Sequence, residues 1–127
     1  MQTKTIFVFG NPEVEGDSLP LKILPRLQKE FPEISFEAKD PNEEWDVPEE
    51  LTVIDSVLGP KEVTVFDDLD EFVGAPKMTM HDFDALANLR YLKKLGKLKK
   101  VRVIGVPPEL KNDDAVKSII DILMKDN

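Results

Sequence analysis

Five short runs rich in apolar and β-branched residues, at 5–9, 34–38, 51–54, 63–66 and 101–104, constrain this fold more than any other feature. Each is the length of one strand, and turn-forming residues separate them. The stretches between and after them have a different period. Residues 19–31 place Leu19, Ile23, Leu24, Leu27 and Phe31 at helical spacing, and residues 113–124 do the same with Val116, Ile119, Ile120 and Leu123. Residues 82–95 carry Phe83, Leu86, Ala87 and Leu95 on or near one face. Strands alternating with helices predict an α/β fold: a three-layer domain whose five-stranded sheet is flanked by helices on both faces. The link Leu58-Gly59-Pro60-Lys61 is too tight to hold a crossover helix. The fourth strand is therefore expected to be antiparallel, in a mixed, mostly parallel sheet.

Local signals place the helix ends. Ser18 is the expected cap of the first helix and Pro20 fits its first turn, whereas Pro25 is expected to kink or shorten it. In the second helix Asp82 and Asp84 stand at the start and Lys93, Lys94 and Lys97 at the end, which suits the helix dipole. Asn112 is the expected cap of the third.

A chain of 127 residues with 41% hydrophobic content can bury one core, so residues 1–127 are read as a single domain. The net charge of −8 argues against nucleic acid and anionic membrane surfaces as partners. No apolar run approaches a membrane span, and residues 1–4 lead straight into a strand. Without cysteine there is no disulfide and no thiolate nucleophile or ligand. A soluble, cytoplasmic monomer is the expectation.

Within this frame one residue stands apart. His81 is the only histidine, and the layout puts it where a loop becomes a helix. Gly10 and Asn11 follow the first strand, Asp17 precedes the first helix, and Asp55 ends the third strand. In open α/β sheets ligands bind beyond the carboxyl ends of the parallel strands. An imidazole with two carboxylates suits a divalent transition metal and leaves positions open for a partner's ligand. Each residue also has a plainer reading. Asp17-Ser18 before an apolar helix is an ordinary cap. Asp55 ends a buried apolar run, which is costly unless the acid is paired or used. Gly10 is read as a turn that needs positive φ, and Asn11 as a turn former or an aid to a substrate carbonyl. Asp40 either approaches the same pocket from the second strand or forms an Asp-Pro turn. Glu13 and Glu15 read as solvated loop acids, and Asp67, Asp68, Asp70 and Glu71 as a solvated face. Lys93, Lys94, Lys97, Lys99 and Lys100 are mainly helix-end charge, with an acidic partner as the other reading. Trp45, the only tryptophan, is either an exposed anchor for a protein partner or folded over the core.

Four blocks then stand in a recognisable order: Phe7-Val8-Phe9-Gly10-Asn11 with Asp17 behind it, Val53-Ile54-Asp55, Met80-His81-Asp82, and residues 101–109 from Val101 through Gly105 to Glu109. The order and spacing resemble the maturation endopeptidases of nickel-iron hydrogenases. The resemblance implies a mixed α/β fold and an enzyme that removes a short C-terminal extension from the precursor of the hydrogenase large subunit. It implies that Asp17, Asp55 and His81 bind nickel and act in catalysis, and that Gly10, Asn11 and Asp40 belong to the substrate site. The nickel arrives with the precursor, so the site is expected to be empty in isolation. A metal-polarised carbonyl and a carboxylate-activated water form the mechanism these residue types permit. The sequence departs from the family pattern in several places. Gly16 stands where a first of two adjacent acids is usual, Ser18, Leu19 and Pro20 replace small residues, and Asp40-Pro41-Asn42-Glu43 replaces a glycine-rich segment. Two other classes compete: a non-catalytic relative that binds the precursor or checks its nickel, and a nucleotide-binding module. Against the last, residues 11–17 hold one glycine and three acids, a poor phosphate cradle.

Overall fold

The computed structural model describes residues 4–11, 13, 17–39, 45–57, 59–68 and 80–125, with the backbone alone over 80–86. Five strands form one sheet: β1 (Thr5–Val8), β2 (Ser35–Ala38), β3 (Glu50–Ser56), β4 (Thr64–Phe66) and β5 (Lys100–Val106), in the order β2-β1-β3-β5-β4. The first three and β5 are parallel, and β4 pairs antiparallel with β5. Thus β4 runs in the expected direction, but it pairs with β5 rather than folding back on β3 as a hairpin. The helices are α1 (Leu19–Glu30), α2 (Met80–Lys94) and α3 (Asn112–Lys125).

Alternation along the strands divides the core into two layers of side chains. Ile6, Val8, Ile54, Ile104 and Val106 face α1 and α3, meeting Ile23, Leu27, Val116, Ile119 and Leu123. Phe7, Phe9, Leu51, Val53, Val101 and Val103 face the other way, meeting Leu89 and Leu92 of α2 together with Leu98. Three layers result. Each such side chain contributes about 1.5–3 kcal/mol by leaving water, so this packing outweighs local preferences.

Several local expectations change on that account. Helix α1 runs unbroken through Pro25. That proline stands on the exposed face, where water can take the carbonyl bond its missing N–H leaves open, while Ile23 and Leu27 hold the opposite face in the core. Ser18 occupies the cap position without a side-chain cap bond, and its carbonyl accepts the Lys22 N–H at 3.1 Å. Among the described side chains of α2, Leu89 and Leu92 are buried and Ala87 is exposed; Leu95, just past the helix, is 53% exposed, and the side chains of Phe83 and Leu86 lie outside the described residues. The stop of α2 explains the exposure of Leu95. Gly96 N–H donates to Lys93 O and Lys97 N–H to Leu92 O, both at 3.1 Å, and Gly96 takes φ +81°. This Schellman closure needs the left-handed glycine, and it turns Leu98 inward while Leu95 is left outside. Trp45 is buried against the core, with ring centroids 5.9 Å from Phe7 and 5.1 Å from Phe9. The folded-back reading of Trp45 is therefore the one observed. Among the described residues, no helix is long and apolar enough to cross a membrane.

Candidate functional site at the carboxyl edge of the sheet

From β1 the chain connects to β2 on one side, while β3 pairs on the other. The gap between β1 and β3 is thus a topological switch point, where open α/β sheets place their ligands. Past the end of β1, the Phe9 N–H still donates to Ile54 O at 2.9 Å, fastening the chain to β3 immediately before Asp55. Gly10 and Asn11 follow. The Asn11 N–H donates to Asp17 O at 2.8 Å, and the Asn11 side-chain oxygen accepts the Glu13 N–H at 3.0 Å. The turn role expected of Asn11 is therefore present. Through these bonds Gly10, Asn11, Asp17 and Asp55 gather at one edge.

Gly10 does not have the positive φ expected of it; among the described residues only Gly59 and Gly96 do. Its reason is close approach. A Cβ there would lie 2.9 Å from Asp17 O and 3.1 Å from Leu21 Cγ, the first a backbone atom that cannot swing aside.

Asp17 sits on the turn into α1 and is 2% exposed; Asp55, inside β3, is also 2% exposed. One Asp55 oxygen, Oδ1, accepts the Ser56 N–H at 2.8 Å. By strand alternation Asp55 belongs to the α2 side with Leu51 and Val53, and Ser56 to the α1 and α3 side with Ile54. Ser56 was not singled out by sequence reasoning. It is 2% exposed, and its Oγ has no hydrogen-bond partner among the described residues. The only sequence signal is a second polar residue directly after the acid of a buried strand.

His81 lies in the first turn of α2, and its side chain is outside the described residues. The other end of that helix is at the amino edge of the sheet, where the N–H groups of Lys99 and Lys100 donate to Glu49 O at 2.7 and 3.0 Å. Fifteen helical residues separate the two ends, a length of about 22 Å that matches the strands. Asp40, Glu15 and Gly16 also lie outside the described residues. Among the described residues no three His, Cys, Asp or Glu side chains are grouped to hold a metal ion. Two buried carboxylates supply oxygen donors and compensating charge, and only a nitrogen ligand would turn that set toward nickel or zinc.

No protein-family model matches the sequence, and no curated protein matches it. Solved structures do. The class defined by the fold is that of a mixed-sheet α/β domain seen in bacterial endopeptidases. In particular, the chain is similar to the hydrogenase maturating endopeptidase HybD from E. coli, with a TM-score of 0.63 and 16% identity over 98% of this chain and 94% of that one. An uncharacterized protein from Wolinella succinogenes matches with a TM-score of 0.60 and 17% identity, covering 98% of this chain and 97% of that one. An endopeptidase from Escherichia coli, solved in solution, matches with a TM-score of 0.59 and 15% identity over 96% and 88%. At such identities the likeness establishes a common fold along nearly the whole chain.

Proposed function

We propose that this protein is an endopeptidase that trims the C-terminal extension from a nickel-loaded precursor of a nickel-iron hydrogenase large subunit. The observation that carries the reading is the pair of buried carboxylates, Asp17 and Asp55, at the switch point of this fold. Buried carboxylates at the ligand-binding edge of an open α/β sheet are candidates for engaging a cation or moving a proton. Support also comes from the full-length fold likeness to a hydrogenase maturating endopeptidase and from the four ordered sequence blocks.

In this reading the nickel belongs to the substrate. Asp17, Asp55 and His81 engage it, His81 supplying the nitrogen donor that selects nickel over harder, oxygen-preferring cations. Gly10 keeps the floor of the site at backbone thickness, Asn11 holds the loop that carries Asp17, and Asp40 is assigned to substrate binding. A carboxylate not engaged by the metal takes a proton from the attacking water. The work is done in the cytoplasm by a single copy of the chain. The test is incubation with the nickel-loaded and the nickel-free precursor, followed by intact-mass measurement of the large subunit. Loss of the extension from the loaded form alone is the expected result. An untouched precursor would sink the peptidase reading.

A second reading, a non-catalytic relative that binds the precursor or checks its nickel, is motivated by Gly16 standing where an acid is usual. Binding of the loaded precursor without cleavage is its signature in the same experiment.

A further inference from the structure

Helix α2 carries apolar side chains on the side turned away from the core as well as on the side packed into it. Leu89 and Leu92 are buried in the core layer, and Leu98 joins them past the turn. With about 3.6 residues per turn, Ala87, Tyr91 and Leu95 form one row on the outer side. Leu95 keeps helical register, because its N–H donates to Tyr91 O at 3.0 Å. All three are exposed, Tyr91 at 56% and Leu95 at 53%. A surface helix ordinarily presents polar and charged residues on that side.

Lys93, Lys94 and Lys97 edge the row. All three are exposed, and among the described residues none of them is in an ion pair. Lys94 follows Tyr91 by three positions and so stands beside it on the same side of the helix. The helix dipole accounts for cations in the last turn. It gives no reason for a tyrosine and a leucine left in water among them. We infer that the outer side of α2 is a docking surface for an acidic amphipathic helix of a partner protein.

Shape and charge together select that occupant. A row at i, i+4 spacing is the ridge that packs into the groove of a second helix in the commonest helix-on-helix arrangement. An apolar centre with charges at the rim is the anatomy of a protein–protein contact, and tyrosine is enriched in such contacts. Cations at this rim call for carboxylates opposite them. A second copy of the chain using the same face would bring like charges together around the two-fold axis. A nucleic acid or an extended anionic membrane surface would meet the −8 of the whole chain, which repels it. Tyr91 and Leu95 lie toward the carboxyl end of α2, whereas His81 is in its first turn. The inference therefore stands apart from the peptidase reading, and occupation of the face is measurable whether or not a precursor is cut.

The experiment titrates a fluorescent, helix-forming peptide with a leucine stripe flanked by glutamates into the full-length protein. Two control peptides replace the glutamates with lysine or the leucines with serine. Four proteins are compared: wild type, the Y91S/L95S and K94E/K97E double variants, and K61E, which reverses an exposed charge outside α2. The expected result is binding of the acidic leucine peptide only, weakened about tenfold or more by each double variant, with K61E like wild type. No binding to wild type, an unchanged affinity in either double variant, or equal binding of a control peptide would overturn the inference. A single-stranded oligonucleotide or phosphatidylserine vesicles binding more tightly than the peptide would overturn it as well. So would self-association of the wild type that Y91S/L95S abolishes, since a second copy would then be the occupant. Should a double variant fail to fold, amide shift mapping on the wild type decides. Shifts at Ala87, Tyr91 and Leu95 support the docking surface, and shifts confined to other regions overturn it.

Discussion

The Asn11 N–H and the Asp17 carbonyl oxygen lie 2.8 Å apart, closing the loop between β1 and α1 on itself. That bond ties the position of a buried carboxylate to the end of a core strand, across a stretch that contains Gly16 and two glutamates. Because the fastening is made by backbone atoms, it survives changes of side chain in the loop. It does not survive a change that pushes the Asp17 carbonyl away.

Gly10→Ala is such a change. Its methyl group would need to sit 2.9 Å from that carbonyl oxygen. Relieving the clash is expected to destabilise the fold by about 1–3 kcal/mol in denaturant unfolding. Unchanged stability would show that the loop has room to yield.

Asp55→Asn keeps the shape and leaves an amide oxygen able to accept the Ser56 N–H. The unfolding midpoint is expected to stay near wild type, while cleavage of the nickel-loaded precursor falls about a hundredfold or more. Retained cleavage would remove Asp55 from the chemistry.

His81→Ala is expected to abolish processing at a stability cost within about 0.5 kcal/mol, the range of an ordinary surface change, because the proposed function places His81 in an open cleft. Processing at the wild-type rate would show that His81 is not a ligand. Thermal unfolding of the variant serves as the control for its fold.

Ser56→Ala removes a buried hydroxyl that has no described partner. A gain in stability of about 1 kcal/mol is expected, because an unsatisfied buried group pays desolvation without return. A loss of stability would reveal a bond to Oγ from outside the described residues.

Leu89→Ala and Leu95→Ala separate a buried position of α2 from an exposed one just past its end. The first empties a core position and is expected to cost about 2–5 kcal/mol. The second removes a side chain that is 53% exposed and is expected to stay within about 0.5 kcal/mol. Comparable costs would mean that Leu95 is covered in solution.

The strands and their directions were legible because each apolar run is short and bounded, and the sheet has to cover both faces. What escaped was set by geometry rather than pattern. The exposure of Leu95 follows from the turn at Gly96, which hands the inward position to Leu98, and a periodicity count over 82–95 cannot see beyond the helix. The role of Gly10 escaped because close approach and positive φ leave the same letter in the sequence. Asp17 and Asp55 were readable as candidates from their places after β1 and at the end of β3.

The position of β5 between β3 and β4 has a consequence for the order in which the molecule comes into being. β3 and β4 are close in the sequence, yet neither gains its sheet neighbour on that side until Lys100–Val106 has been made. During synthesis the nascent chain therefore carries an open edge on β3, lined by buried-type residues such as Leu51, Val53 and Ile54. An unpaired apolar edge of that kind invites pairing with other chains. Closure by β5 is a long-range event and correspondingly slow, so the vulnerable interval of this protein lies between translation of β3 and translation of β5.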